Sequence, residues 1–127
     1  MQPADAAAPL VLLVDDYADA REMYAEFLEL YGYEVMQAGD GEQALAKAAE
    51  RRPDVVLMDL SLPGLDGRET TKRLKATPAT ANVPVVILTG MPSEYARKSG
   101  ADAFLTKPCE PAALVEAIKR LLGQPTS

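Results

Sequence analysis

Short apolar runs alternate with longer amphipathic segments along this chain, and that alternation most limits its fold. The first run, Leu10 to Val14 (LVLLV), contains no polar residue. A strand buried on both faces has such a continuous apolar sequence, whereas a strand with one wet face alternates apolar and polar residues. Strands are predicted at residues 10–14, 33–37, 54–58, 85–88 and 103–106.

The longer segments between these runs have the apolar spacing of helices. Helices are predicted at residues 18–31, 41–52, 65–76 and 111–122, with a short fourth helix between Pro92 and Ser99. The first helix is expected to place on one side Met23, Phe27 and Leu30 or Tyr31. Strands and helices that alternate in this way form βαβ units. The expected fold is therefore an α/β domain whose parallel sheet is covered by helices on both faces.

One domain accounts for the length of the chain. A protein of 127 residues buries a substantial core without a second domain. The domain is expected over residues 10–122, between a flexible leader at 1–9 and a flexible tail at 123–127. The initiating Met and the natural-looking tails favour a stand-alone protein over a piece of a larger one.

Composition excludes several kinds of chemistry. The chain has no histidine, so it carries neither a Ser-His-Asp triad nor an imidazole-ligated zinc site. Its net charge of −6 argues against binding to nucleic acid or to anionic membranes, both of which need basic patches. No apolar run approaches the roughly 20 residues of a membrane span. Without a secretion signal, and with Cys109 as the lone cysteine, a cytoplasmic location is expected.

Polar side chains follow four of the predicted strands, at the point where each strand ends. Asp15 and Asp16 follow the first strand, Asp59 the third, Thr89 the fourth and Lys107 the fifth. A single aspartate there has a simpler explanation as a helix N-cap. Five polar residues at four strand ends are not explained in that way. Ligands of open α/β sheets bind outside the carboxyl ends of the strands, so these side chains are expected to converge on one site.

The predicted site has the chemistry of phosphoryl transfer with a divalent cation. Three carboxylates repel one another unless a cation lies between them. Mg²⁺ prefers oxygen ligands and favours sites that are shared with phosphate. A carboxylate is a known nucleophile towards phosphoryl groups and forms an aspartyl phosphate. The ammonium of Lys107 and the hydroxyl of Thr89 would bind the phosphoryl oxygens.

Four motifs carry a resemblance to a known family. They are VDD at 14–16, MDLSLPGLDG at 58–67, LTG at 88–90 and ADAFLTKP at 101–108. From about Leu10 to Leu122 the chain resembles the receiver domain of bacterial two-component response regulators. The resemblance implies a flavodoxin-like, doubly wound sheet of five parallel strands in the order 2-1-3-4-5 with five helices.

The resemblance also implies a role for each residue of the site. Asp59 resembles the phosphoacceptor. Asp16 resembles the direct Mg²⁺ ligand, with Asp15 beside it acting partly through water. The backbone carbonyl of Ser61 would complete the protein's share of the metal shell, together with Asp59.

Three further residues match the positions that respond to phosphorylation in this family. Lys107 resembles the lysine that pairs with the phosphoryl oxygens, and Thr89 the hydroxyl that moves onto them. Phe104 occupies the position of the switch aromatic, with plain core packing as the alternative. The bond between Lys107 and Pro108 is usually cis in the family.

The sequence departs from the family pattern in two places. Lys107 follows Thr89 by 18 positions, about one helical turn fewer than in most receivers, so the fourth helix is expected to be short. Met91 and Ser61 occupy the two positions that tune the attack of water on the acyl phosphate. Because an apolar Met91 cannot orient a water molecule, slow self-dephosphorylation is predicted.

The function implied is a phosphorylation-activated switch that is not itself an enzyme. A histidine kinase or histidine phosphotransfer protein would supply the phosphoryl group, since the chain has no histidine of its own. The output would leave by contact with a protein target, with no role for nucleic acid or membrane.

Two alternatives belong to other functional classes. A haloacid-dehalogenase-type phosphatase also uses an aspartate nucleophile, but it needs a second aspartate where this chain has Ser61. A receiver-shaped interaction module that no longer takes phosphate is the other alternative. The complete set of site residues disfavours it, whereas the short fourth helix favours it.

Overall fold

The computed structural model describes residues 8–90 and 94–124, and its elements follow the predicted alternation. The strands are β1 (Leu10–Val14), β2 (Glu34–Ala38), β3 (Val55–Asp59), β4 (Val85–Thr89) and β5 (Ala103–Thr106). The helices are α1 (Ala18–Leu30), α2 (Gly41–Glu50), α3 (Gly67–Ala76), α4 (Glu94–Arg97) and α5 (Pro111–Leu121).

All five strands pair in parallel in one sheet, in the order β2-β1-β3-β4-β5. The predicted fold class and strand order are thus confirmed. In the register of neighbouring strands, Val14 lies beside Met58, and Asp59 lies beside Leu88. The carboxyl ends of β1, β3, β4 and β5 therefore meet at one edge of the sheet.

The sheet separates two apolar layers because successive side chains of each strand point to opposite faces. Val11 and Leu13 of β1 pack with α1 and α5, whereas Leu12 and Val14 pack with α2 and α3. Every residue of β1, β3 and β4 is buried, which accounts for the continuous apolar runs at residues 10–14, 55–58 and 85–88.

Of the residues predicted for one side of α1, Phe27 is partly buried and packs against the apolar layer, whereas Met23 and Leu30 do not. Tyr24, Ala25 and Leu28 are the buried residues, whereas Met23 is 50% exposed and Leu30 is 83% exposed. This helix has apolar residues on two adjacent stripes, so spacing alone did not distinguish them. Packing against the sheet selects the stripe that contains Tyr24.

Local hydrogen bonds set several helix boundaries more narrowly than the apolar pattern did. The third helix begins at Gly67 because the carboxylate of Asp66 accepts a hydrogen bond from the Glu69 amide at 2.9 Å, as an N-cap does. The second helix ends before Arg51, whose guanidinium pairs with Glu34 on β2.

The connection from β4 to β5 contains the shortest of the described helices. α4 has four residues, as expected from the missing turn, and Met91 and Pro92 lie outside the described residues. The peptide bond between Lys107 and Pro108 is cis, as the resemblance implied. None of the helices in the described part of the chain has both the length and the apolarity needed to cross a bilayer.

Candidate functional site

Three carboxylates converge at the carboxyl edge of the sheet. One carboxylate oxygen from each of Asp15, Asp16 and Asp59 lies within 4.8 Å of the others. Asp15 and Asp59 are buried and Asp16 is exposed, so the group lies at the surface with two of its members protected from water. The sequence predicted this convergence from the strand ends.

Hydrogen bonds hold both oxygens of Asp59. Its Oδ1 accepts from the backbone N–H of Ser61 at 3.2 Å, and its Oδ2 accepts from the ammonium of Lys107 at 2.5 Å. As the last residue of β3, Asp59 also has its backbone fixed by the sheet. The carboxylate therefore has one orientation.

Lys107 is the cation of the site. Its Nζ lies 2.5 Å from Asp59 and 4.0 Å from Asp15. Burial by itself would lower the pKa of Lys107, but the hydrogen bond and charge of Asp59, helped by Asp15, raise that pKa above its usual value. Lys107 consequently stays an ammonium throughout the neutral range.

The remaining predicted residues lie around this centre. Thr89 is buried at the end of β4, and its carbonyl accepts a hydrogen bond from the Lys107 amide at 2.8 Å. Ser61 is exposed and holds Asp59 through its amide; the role of its carbonyl stays a prediction. Phe104 is partly buried and packs against the apolar layer next to α2 and α3. Its role as a switch also stays a prediction.

Gly67 lets α3 begin directly beneath Asp59. Its amide donates to the carbonyl of Leu60 at 2.9 Å. A Cβ at this position would lie 2.5 Å from the backbone oxygen of Asp59 and 2.8 Å from Leu60 Cα. Only glycine permits so close an approach, so this residue positions the site through packing rather than by binding phosphate.

Two residues of α1 support the site and were not predicted. Arg21 donates to the backbone carbonyl of Asp15 at 2.7 Å, and Tyr24 donates to the carbonyl of Cys109 at 3.0 Å. Burial raises the pKa of Tyr24, so its phenol remains a donor. Their acceptors are backbone atoms, which leave no signal in an amino-acid sequence.

Tyr95 on α4 makes a specific contact with the beginning of α3. Its hydroxyl donates a hydrogen bond to the Oδ2 of Asp66, and the guanidinium of Arg68 lies 4.5 Å from the centre of its ring. The hydrogen bond to Asp66 raises the pKa of Tyr95. α4 is thereby joined to the beginning of α3 across the site.

This arrangement suits the binding of a phosphoryl group next to a hard cation. Carboxylate oxygens gather where a cation would neutralise them, and a fixed carboxylate oxygen is available as a nucleophile. The ammonium of Lys107 is already in place for the charge that a phosphoryl group would bring.

The fold and this site are those of a known class of signalling domain. The family model described as the response regulator receiver domain matches residues 11–119. The chain belongs to this family, whose members are phosphoacceptor domains of two-component systems.

Curated relatives agree with this assignment. The chain is 34% identical over 117 residues to protein PilH of Pseudomonas aeruginosa, covering 89% of this chain and 97% of that protein. It is 40% identical over 116 residues to the phosphate regulon transcriptional regulatory protein PhoB of the same organism. That match covers 88% of this chain and 51% of PhoB, so the chain spans about half the length of that relative.

A solved structure of the family adds information on metal binding. The receiver domain of a sensor histidine kinase from Pseudomonas aeruginosa has a TM-score of 0.86 to this chain at 32% identity. The match covers 93% of this chain and 100% of that one, which was crystallised with a magnesium ion coordinated in its active-site cleft.

Proposed function

We propose that this protein is a phosphorylation-activated switch in which Asp59 accepts the phosphoryl group. The observation that carries the proposal is the placement of Asp59, with Oδ1 held by the Ser61 amide and Oδ2 held by Lys107 beside two further carboxylates. The proposed domain covers residues 10–122, in agreement with the family match over 11–119.

The residues present fit a magnesium ion. Asp15, Asp16 and Asp59 offer hard oxygen ligands close enough to share one ion, and the carbonyl of Ser61 is the proposed fourth contribution. When bound, Mg²⁺ would neutralise the carboxylates and the incoming phosphoryl oxygens.

We propose that Lys107 pairs with Asp59 before phosphorylation and with the phosphoryl oxygens afterwards. In the unphosphorylated protein its ammonium pairs with the Oδ2 of Asp59. After phosphorylation, the Oδ2 of Asp59 either is bonded to phosphorus or carries less negative charge than before. The negative charge then lies further out, on the phosphoryl oxygens. The ammonium would then bind those oxygens, and Asp15, 4.0 Å away, limits how far it can move.

We propose that Thr89 and Phe104 transmit the effect of phosphorylation from the site to the protein surface. Thr89 lies at the end of β4, next to β5, and its carbonyl is bonded to the amide of Lys107. A shift of its hydroxyl towards phosphoryl oxygens would move this strand end. Phe104 is only partly buried, so inward rotation would add apolar burial and stabilise the phosphorylated form.

The phosphodonor is proposed to be a histidine kinase or a histidine phosphotransfer protein. The absence of histidine from the chain supports an external donor. The output is proposed to be contact with a protein target in the cytoplasm, with no direct role for nucleic acid or membrane; the net charge of −6 supports this.

Slow hydrolysis of the acyl phosphate is the remaining part of the proposal. It rests on the side chain at Met91, which is apolar and cannot orient a water molecule. A phosphoryl half-life of minutes or longer is expected. A half-life of seconds that Met91→Ala lengthens would contradict this part alone.

The test of the proposed function is phosphorylation by acetyl phosphate with Mg²⁺, followed by intact-protein mass spectrometry. Addition of one phosphoryl group is expected for the wild type and for Asp19→Asn, an exposed aspartate of α1 that serves as the matched control. No addition is expected for Asp59→Asn. Absence of the adduct from the wild type, together with no response to beryllofluoride, would overturn the switch and favour a phosphorylation-independent interaction module.

A further inference from the structure

A cavity opens beside the acidic cluster, between the loop that follows β3 and the short helix α4. Its volume is about 560 Å³, within the range of small-molecule sites. Its walls combine an apolar loop, two carboxylates and one aromatic ring: Leu60, Ser61, Leu62, Pro63, Asp16, Asp66 and Tyr95. Asp16 and Ser61 belong to the candidate site itself, so the cavity adjoins the acceptor carboxylate.

The aromatic wall of this cavity is held in place from two sides. The hydroxyl of Tyr95 is anchored on Asp66, and the guanidinium of Arg68 stacks over the ring at 4.5 Å. Arg68 itself does not line the cavity. Tyr95 as a whole is 45% exposed, so it is accessible to a ligand.

The charges around the cavity select the kind of group it accepts. Asp16 and Asp66 contribute carboxylates, and an aromatic ring attracts a cation that lies over its face. An anionic leaving group such as acetate would be repelled there. A flat ring with a positive charge would be attracted by Tyr95 and by the carboxylate of Asp66, which is not one of the proposed metal ligands.

We infer that this cavity is the leaving-group pocket of the phosphotransfer reaction, and that Tyr95 selects imidazole-based phosphodonors. The inference rests on the proposed function, because it assigns a binding site to the leaving group of the donor that phosphorylates Asp59. Tyr95 acts as a specificity-determining residue that contacts the departing ring.

The step that the pocket serves is a simple displacement. The donor is a phosphoimidazole protonated on its other ring nitrogen. An oxygen of Asp59 forms the new O–P bond while the P–N bond breaks. The electron pair of that bond stays on nitrogen, so neutral imidazole leaves. The ring is cationic in the donor and keeps part of that charge in the transition state, where Tyr95 and Asp66 stabilise it.

The test compares two small phosphodonors on the same protein, phosphoimidazole and acetyl phosphate. The second-order rate constant for phosphorylation of Asp59 is measured with each donor, and their ratio is the readout. Tyr95→Ala is expected to lower the ratio of phosphoimidazole to acetyl phosphate by about five- to tenfold, the size of a partly desolvated cation–π contact. Tyr95→Phe keeps the ring and should stay within about threefold of the wild type.

Tyr31→Ala is the matched control, since Tyr31 is 50% exposed, directly follows α1 and does not line the cavity. An unchanged ratio in Tyr95→Ala, or an equal fall in Tyr31→Ala, would overturn the inference. An equal loss of rate with both donors would assign Tyr95 a purely structural role and would overturn it as well. Failure of both donors to phosphorylate wild-type Asp59 would overturn the proposed function and this inference together.

Discussion

The phenol of Tyr24 on α1 donates a hydrogen bond to the backbone carbonyl of Cys109, 3.0 Å away and 85 positions further along the chain. Cys109 follows Lys107 and the cis Pro108, so this bond ties the turn that carries the site ammonium to a helix on one face of the sheet. The position of Lys107 beside Asp59 thus depends on packing between distant segments as well as on the end of β5.

Loss of this bond should have both a stability effect and a functional effect. Tyr24→Phe removes the donor and leaves a partly buried carbonyl without its partner, so the free energy of unfolding should fall by about 1 kcal/mol. The rate of phosphorylation by acetyl phosphate should also fall severalfold, because Lys107 is held less firmly. Urea unfolding and mass spectrometry measure the two effects.

Tyr33→Phe is the control for that experiment. Tyr33 is buried, and its hydroxyl bonds to Gln124 at 2.7 Å, outside the acidic cluster. A comparable stability loss is expected without a change in phosphorylation rate. Equal rates in both variants would show that the bond to Cys109 does not position Lys107.

Removal of the Lys107 charge should strengthen magnesium binding. The ammonium lies 2.5 Å from Asp59 and 4.0 Å from Asp15, where it competes with a dication for the same carboxylates. Lys107→Met should therefore lower the dissociation constant for Mg²⁺ by about five- to tenfold, as measured by calorimetric titration. The rate of phosphorylation should nevertheless fall. Lys72→Met, on the exposed side of α3, should change neither quantity; weaker Mg²⁺ binding in Lys107→Met would contradict the competition.

A single methyl group at Gly67 should destabilise the fold. A Cβ added at Gly67 would lie 2.5 Å from the Asp59 backbone oxygen, and neither β3 nor α3 can move easily to relieve this clash. Gly67→Ala should lower the free energy of unfolding by about 1–3 kcal/mol, as overpacking does. Gly39→Ala is the control, since its nearest neighbour would be an arginine side-chain atom at an ordinary 3.6 Å. An equal midpoint of urea unfolding for the two variants would refute the close approach.

The thiol of Cys109 should react slowly at neutral pH. Burial, and then the charge of Glu110, raise the pKa of this thiol, so the reactive thiolate is scarcer at pH 7 than in an unperturbed cysteine. The rate of alkylation by iodoacetamide should rise by about tenfold per pH unit from 7 to 8. It should also increase on unfolding in urea at constant pH. Faster alkylation of the folded protein than of the unfolded protein would contradict the assigned burial effect.

The fold was predictable from the sequence because its signals are local. A strand buried on both faces needs a continuous apolar run, and β1 and β4 have one. The packed side of α1 was predicted correctly at Phe27 and wrongly at Met23 and Leu30, because adjacent stripes through Met23 and Tyr24 are both apolar. Only the sheet surface decides between them.

The acidic cluster was predictable for a related reason. Once the sheet is parallel, the residues that end its strands must share an edge, so Asp15, Asp16 and Asp59 come together. The contact between Tyr95 and Asp66 was not predictable in the same way. It depends on where a four-residue helix lies, which the apolar pattern does not specify.

Periodicity and the polar residues at strand ends were enough to predict the strands, their common edge and the charged groups placed there. The contacts that position those groups became visible only in the folded protein. Tyr24 bonds to the carbonyl of Cys109, Arg21 to that of Asp15, and Gly67 admits a helix beneath Asp59. Such contacts join backbone atoms to distant side chains, and a backbone atom is the same whatever residue carries it.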